Sequence, residues 1–209
     1  MCTKTLRQKP FLKSLPNTFK DIKKAKGATA TYTSFNLYFC DESRFGLMTR
    51  QKRVLTKRGV KPLCPYQHQF DTTYLFGAFS PFNGDSCMLL LPQCNSDTFQ
   101  LFLNEFARQK PQEYKILILD NGAFHHARRL CIPENMHLVF LPPYSPELNP
   151  AEKVWRKLKD QLAMKVYSTL EDLINHLQTI IQNVLTADSI KSICGNPFYK
   201  TTFQSIFNV

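Results

Sequence analysis

Residues 115–120 read Lys-Ile-Leu-Ile-Leu-Asp, a short run of large apolar side chains that stops at an acid. A continuous apolar run of this length is typical of a strand buried on both faces of an α/β sheet. A second such run, His-Leu-Val-Phe-Leu, occupies residues 137–141. The two runs predict buried strands, and they place Asp120 directly at the end of the first.

The segments around these runs show further strand and helix patterns. Strands are predicted at 34–40, 44–48, 72–79 and 86–91, the last two as a hairpin, and helices at 96–108, 123–130, 150–164 and 169–185. Strands thus come first, then helix and strand alternate, and helices end the series. This order predicts an α/β fold in which a mixed β-sheet carries helices on both faces.

Composition divides the chain into three segments. Residues 1–33 hold eight basic side chains against one acid and contain Pro10, Pro16 and Gly27, which predicts a basic N-terminal arm or linker stub with at most a short helix. Residues 34–185 are predicted to form the α/β domain. Residues 186–209 form a C-terminal tail whose packing the pattern does not define.

Several function classes are excluded by composition. Hydrophobic residues make up 43% of the 209 residues, which is globular, but no run approaches the roughly 18 apolar residues of a membrane helix. The N-terminus lacks the apolar region of a secretory signal, so a cytoplasmic location is expected. The seven cysteines contain no C-x-x-C spacing, which argues against a disulfide framework and a zinc finger.

The charge balance indicates an acidic partner. There are 27 basic and 16 acidic side chains, a net charge of +11, and the excess is clustered as in nucleic-acid-binding proteins. A merely soluble basic protein is the alternative. The candidate contacts to DNA phosphates are Arg50, Lys52, Arg53, Lys57, Arg58 and Lys61 in one strip, and Lys153, Arg156, Lys157 and Lys159 in a predicted helix.

Three acids are placed where they can converge. Asp41 and Asp120 each follow a predicted strand, and Glu152 lies in the first turn of the predicted helix 150–164. Like charges held close together raise one another's pKa unless cations neutralise them. Two Mg²⁺ or Mn²⁺ ions would do so and would create a site for phosphoryl transfer. Glu42 is predicted to point to the opposite face of its strand, which leaves it outside this site.

Each acid also has a simpler interpretation. Asp120-Asn121-Gly122 is compatible with a tight turn, and Asp41 with an ordinary strand-ending acid. Glu152 fits the third position of a capping box with Asn149 as the N-cap and Pro150 as the first helical residue. The residues alone leave these alternatives open.

Four segments around the acids resemble motifs of the IS630 transposases, within the IS630/Tc1/mariner superfamily. Residues 141–155, Leu-Pro-Pro-Tyr-Ser-Pro-Glu-Leu-Asn-Pro-Ala-Glu-Lys-Val-Trp, are similar to that family's L-P-x-Y-S-P-x-L-N-P-x-E-x-x-W segment almost position for position. Residues 116–125 resemble its D-N-x-x-x-H segment, 39–43 its D-E-S opening and 53–62 its basic R-G-x-x-P stretch. The resemblance covers about residues 35–185.

The resemblance implies an RNase H-like fold and a DDE triad of Asp41, Asp120 and Glu152 that binds divalent metal. It also implies that an element bounded by inverted repeats is excised from double-stranded DNA and inserted at a TA dinucleotide, with a homodimer at the paired ends. Asn121, His125 and Asn149 match motif positions and are expected to orient the acids or position DNA.

Two departures from the family pattern keep alternatives open. Residues 1–33 are too short for the usual helix-turn-helix domains, and Leu55 stands where the family often has tryptophan. A catalytically silent or domesticated DNA-binding fragment is therefore the alternative function. A nuclease of RNase H type that acts on other nucleic acids is a third.

Overall fold

One five-stranded sheet organises the chain. The computed structural model describes residues 3–27 and 32–207. Its strands are β1 (Ser34–Gly46), β2 (Thr72–Phe79), β3 (Ser86–Leu91), β4 (Glu113–Leu119) and β5 (Met136–Phe140). They lie in the order β3-β2-β1-β4-β5. The β3-β2-β1 part is antiparallel and the β1-β4-β5 part is parallel, which confirms the predicted mixed sheet.

Six α-helices are formed by the described residues. They are α1 (Thr3–Gly27), α2 (Ser96–Arg108), α3 (Ala151–Leu162), α4 (Leu170–Val184), α5 (Ala187–Cys194) and α6 (Pro197–Phe207). The predicted hairpin and the helices predicted at 96–108, 150–164 and 169–185 are confirmed within two residues at each end. None of the helices in residues 3–27 and 32–207 combines the length and apolar character needed to cross a bilayer.

Side chains of the central strands point alternately to the two faces of the sheet, and a separate core lies on each face. Leu37 and Phe39 of β1 join Ile116 and Ile118 of β4 in a cluster with α1, α3, α4, α5 and α6. Their neighbours, including Tyr38 and Leu117, face the opposite cluster with α2. Successive strand residues point to opposite faces, so a run that is apolar throughout needs helices on both sides. The predicted two-sided cover is confirmed.

One long strand replaces two predicted ones. Residues 34–40 and 44–46 of the two predicted segments belong to β1, which runs without interruption through Asp41, whereas 47–48 lie beyond its end. Its pairing with β4 ends at Phe39, whereas its pairing with β2 continues from Phe39 to Gly46. The prediction of a separate second strand was wrong because the antiparallel partner extends β1 beyond the parallel part of the sheet. Asp41 therefore lies where the sheet loses its β4 neighbour.

The predicted helix over 123–130 was also wrong. Only a short 3₁₀ turn, Ala123–His126, forms there. The residues that follow bond to α2 instead of continuing a helix. The Arg129 guanidinium donates to Ser96 Oγ at 2.7 Å, and the Cys131 N–H donates to Gln100 Oε1 at 2.7 Å.

The N-terminal segment departs most from the prediction. Thr3–Gly27 form one helix with Pro10 and Pro16 inside it, where a broken arm was expected. An internal proline costs about 3 kcal/mol. Burial of Leu15, Phe19 and Ile22 offsets this cost, and Phe19 meets Phe203 of α6 edge-on at 5.5 Å. One cluster thus includes side chains from all three predicted segments, while the boundaries at 33 and 185 stay a prediction.

Candidate catalytic site

Asp41 is a buried acid with one strong donor. Only 8% of the residue is exposed, and its Oδ2 accepts a hydrogen bond from Trp155 Nε1 of α3 at 2.8 Å. Burial raises the pKa of Asp41 well above its usual range, and the nearby Glu42 and Glu152 carboxylates raise it further against the opposing effect of the Trp155 bond. The ionised form of Asp41 is therefore unfavourable in this environment, and a bound cation would stabilise it.

A glycine makes the Trp155 contact sterically feasible. Gly77 of β2 is the cross-strand partner of Asp41. A Cβ at Gly77 would lie 2.6 Å from Trp155 Cη2 and 2.7 Å from Phe79 Cζ. The indole can lie across β2 and reach Asp41 because this position has no side chain.

Replacing Gly77 by alanine is expected to destabilise the fold by about 1–3 kcal/mol, because the added methyl group overpacks the site. The indole would be pushed away from Asp41. Urea unfolding measures the loss, and the fluorescence of Trp155, the only tryptophan in the sequence, reports its environment. Gly27→Ala is the matched control, since a Cβ there meets nothing closer than 3.7 Å. Equal stability of the two variants would contradict the steric argument.

Asn149 ties the start of α3 to β1. Its buried side chain donates from Nδ2 to the Cys40 carbonyl at 2.9 Å and accepts from the Ala151 N–H at 3.2 Å. The capping box that the sequence suggested is not formed: Pro150 precedes the helix without a side-chain cap, and the Asn149 N–H bonds to Pro146. The side chain spans to β1 instead. Glu152, exposed in the first turn of α3, is thereby held beside Asp41.

Asp120 follows β4 and faces a buried imidazole. Its carboxylate, 57% exposed, accepts from the Gly122 N–H at 3.1 Å and lies 3.0 Å from His125 Nδ1. This is an ion-pair distance, although Nδ1 is not aligned for a hydrogen bond. The His125 imidazole lowers the pKa of Asp120 against the effect of burial. Asp120 is therefore kept ionised and oriented.

Glu42 is the site residue that sequence reasoning missed. It does point to the face opposite Asp41, as predicted, but His125 reaches that face and brings Nε2 within 3.3 Å of Glu42 Oε1. Burial by itself lowers the pKa of His125, yet the Asp120 and Glu42 carboxylates together raise it to about 9. Glu42 is linked to Asp120 through His125. The only available signal was the adjacency of two acids at 41–42.

The three predicted acids line one cavity of about 360 Å³. Asn121, Asn149 and the proline loop 141–146 complete its wall, and Asn121 contacts His126. Within residues 3–27 and 32–207, no three His, Cys, Asp or Glu side chains stand close enough to hold a single ion. Carboxylates from three elements thus face one cavity, and Mg²⁺, which keeps several waters, needs only one or two carboxylate ligands.

The predicted basic residues occupy two surfaces. The strip of Arg50, Lys52, Arg53, Lys57, Arg58 and Lys61 is exposed on a segment without helix or strand, and Lys153 and Arg156 are exposed on α3. Lys159 is partly buried. Lys157 differs from the others, because its Nζ donates to Ser189 Oγ of α5 at 2.7 Å. Its side chain links α3 to α5, and its predicted contact with DNA stays a prediction.

Comparison with known proteins identifies the family. The profile of the family described as DDE superfamily endonuclease matches residues 36–187, which include all three acids. The chain belongs to the DDE superfamily of endonucleases. An uncharacterised protein of Sinorhizobium fredii, y4pE/y4sA, is 38% identical over 105 residues, a stretch that covers 49% of this chain and 78% of that protein.

Solved structures of Mos1 transposase share the fold of this DDE endonuclease. The paired-end complex with the left transposon end superposes with a TM-score of 0.65 at 14% identity, over 99% of this chain and 64% of that chain. The mariner Mos1 paired-end complex with Mn gives 0.62 at 17% identity, over 96% and 62%. These matches confirm the expected RNase H-like fold. The chain spans less than two thirds of the Mos1 chains.

Proposed function

We propose that this DDE endonuclease is the catalytic domain of a cut-and-paste DNA transposase of the IS630 kind. It would cleave phosphodiester bonds at the ends of a mobile element and join the ends to new DNA. The observation that carries the proposal is the shared cavity, which is lined by acids from β1, the end of β4 and the start of α3. Each acid comes from a different element, as the DDE triad requires.

The donor set at the cavity fits Mg²⁺ or Mn²⁺, and we propose two ions held by Asp41, Asp120 and Glu152. Hard divalent cations prefer carboxylate oxygens, and the buried charge of Asp41 calls for neutralisation. When bound, such ions activate the attacking water or 3′-hydroxyl and stabilise the leaving oxygen. The protein's part is orientation: Trp155 holds Asp41, Asn149 holds the start of α3, and His125 holds Asp120.

The exposed cations of the chain are the proposed contacts to DNA. The exposed basic strip and the cations of α3 would contact backbone phosphates without reading sequence. The Mos1 structures that share the fold contain paired transposon ends, which supports double-stranded DNA as the substrate. A homodimer at paired ends and insertion at TA are part of the proposal, as is action on DNA inside the cell.

The proposal predicts metal-dependent nicking. The purified chain is expected to nick supercoiled DNA and to join pre-cleaved 3′ ends to a target in Mg²⁺ or Mn²⁺, and to do neither in EDTA, because the acids alone supply no Lewis acid. Binding of DNA without cutting in either metal would favour the silent DNA-binding alternative. Faster cutting of the RNA strand of an RNA/DNA hybrid would favour a nuclease of RNase H type.

A further inference from the structure

A second cavity lies at the far end of β1 and is lined by cations. It has a volume of about 230 Å³ and is enclosed by the end of β1, the end of α3 and the segment that leads into α4. Its charged lining consists of Arg44, Arg50, Lys159 and Lys165. Phe45, Leu47, Leu162 and Leu173 form an apolar floor. The sequence singled out two of these cations as part of a wider basic surface and did not place them together.

The four cations have no acidic counterpart in the cavity. Among the residues that the structure describes, no Asp or Glu forms an ion pair with any of them. Lys159 Nζ lies over the Phe45 ring at 5.5 Å, and Lys165 Nζ is 3.3 Å from His176 Nε2. Burial and the Arg50 guanidinium lower the pKa of Lys159 against the opposing effect of the Glu152 and Asp41 carboxylates, which line the other cavity. Like charges are thus gathered in one enclosed place, which an anion would stabilise.

The wall of this cavity is built by specific hydrogen bonds. The Met164 N–H donates to the Arg50 carbonyl at 2.9 Å, with Met164 in a left-handed conformation at φ 62°. Gln67 bonds to both the N–H and the carbonyl of Tyr167, at 3.2 and 2.8 Å. Tyr167 Oη is 2.6 Å from His176 Nδ1. The backbone that carries the cations is therefore held in place by these bonds, although three of the four cationic side chains are exposed.

The position of the cavity relative to the acids can be estimated along two elements. Lys159 lies seven residues after Glu152 on α3, which is about 10 Å at 1.5 Å per residue. Arg44 lies three residues after Asp41 on β1, which is about 10 Å at 3.3 Å per residue. Phosphates of one DNA strand recur about every 3.4 Å along the duplex axis. Successive phosphates are also displaced around the duplex, so their separation exceeds this rise, and the spacing corresponds to about one or two nucleotides.

We propose that this cationic cavity binds a backbone phosphate of the DNA about one or two nucleotides from the bond that is cut. The inference rests on the proposed function, because it assumes that DNA reaches the acids. The bound phosphate would fix the register of the strand in the neighbouring cavity. The recognised group is a phosphodiester and not a base, so the contact would be independent of sequence.

The test measures DNA binding without cutting. Affinity of a short duplex is followed by fluorescence anisotropy in EDTA at several salt concentrations. Lys159→Gln and Lys165→Gln are each expected to weaken binding by about tenfold, and to reduce the slope of log affinity against log salt by about 0.9. Lys159→Arg keeps the charge and should retain affinity. Lys13→Gln, an exposed lysine of α1 that does not line the cavity, is the matched control.

A second readout locates the contact. The amide resonances of Met164 and Tyr167 are expected to shift when DNA is added to the native chain, and to need a higher DNA concentration for the same shift in Lys159→Gln. Inorganic phosphate is the other arm: shifts with phosphate ion but none with DNA would assign the cavity to a free anion and overturn the proposal. Thermal unfolding verifies that each variant is folded. Because Lys165 is exposed, its substitution does not disturb the core.

The two proposals fail in different ways. A chain that binds DNA through this cavity but never nicks it in Mn²⁺ contradicts the proposed function and leaves the phosphate site standing. A chain that nicks DNA, but whose Lys159→Gln and Lys165→Gln variants keep native affinity and salt slope, contradicts the phosphate site alone.

Discussion

Asp120→Asn is expected to reduce metal-dependent nicking by about a thousandfold or more. The change removes one of the three carboxylates that line the cavity, and a catalytic metal contributes several kcal/mol, with about 1.4 kcal/mol for each factor of ten in rate. The side chain is 57% exposed and the amide has the same size, so the fold should persist with a modest loss of stability from the lost ion pair with His125. Nicking of supercoiled DNA in Mn²⁺, measured as an initial rate, gives the effect.

A matched variant distinguishes the loss of a carboxylate in the cavity from the loss of any surface carboxylate. Asp160→Asn makes the same substitution at an exposed position of α3 that does not line the cavity. It should nick DNA at the native rate. DNA affinity in EDTA should be unchanged or slightly higher in Asp120→Asn, because an acid facing the phosphates is lost. A nicking rate in Asp120→Asn within tenfold of the native rate would exclude Asp120 from the metal site.

The elements that carry the acids follow from local patterns. The apolar run before Asp120 can bury both of its faces only in a sheet that helices cover on both sides. The apolar side chains on one side of α3, which include Trp155, must likewise pack against a core. These patterns depend on residues close together in the chain. They therefore predicted correctly the strand that precedes Asp120 and the helix that carries Glu152, before any contact between elements was known.

Contacts between distant residues account for what the sequence did not predict. Glu42 joins the site only because His125, 83 residues further along, reaches its face of the sheet. Trp155 is buried, but the direction of its N–H depends on Gly77 in another strand. The α1 helix forms against local preference because α6 covers its apolar face. Each case is decided by tertiary packing.

Trp155→Phe tests whether the indole N–H positions Asp41. The variant keeps an aromatic ring in the core and removes the donor at 2.8 Å, which leaves a buried carboxylate oxygen without its partner. Loss of a group that orients a metal-binding carboxylate costs about 10–100-fold in metal affinity or rate. The expected result is a higher Mn²⁺ concentration for half-maximal nicking together with a lower maximal rate.

Phe79→Leu is the variant that isolates this role from packing. Phe79 meets the Trp155 ring edge-on at 5.3 Å and contributes to the same core, but it makes no bond to Asp41. Both variants should lose stability, because each reduces the volume of a buried aromatic residue. Only Trp155→Phe should change the Mn²⁺ requirement, since only it alters the carboxylate. If the two variants show the same Mn²⁺ dependence as the native chain, the indole is a packing residue and Asp41 is oriented by the backbone of β1 alone.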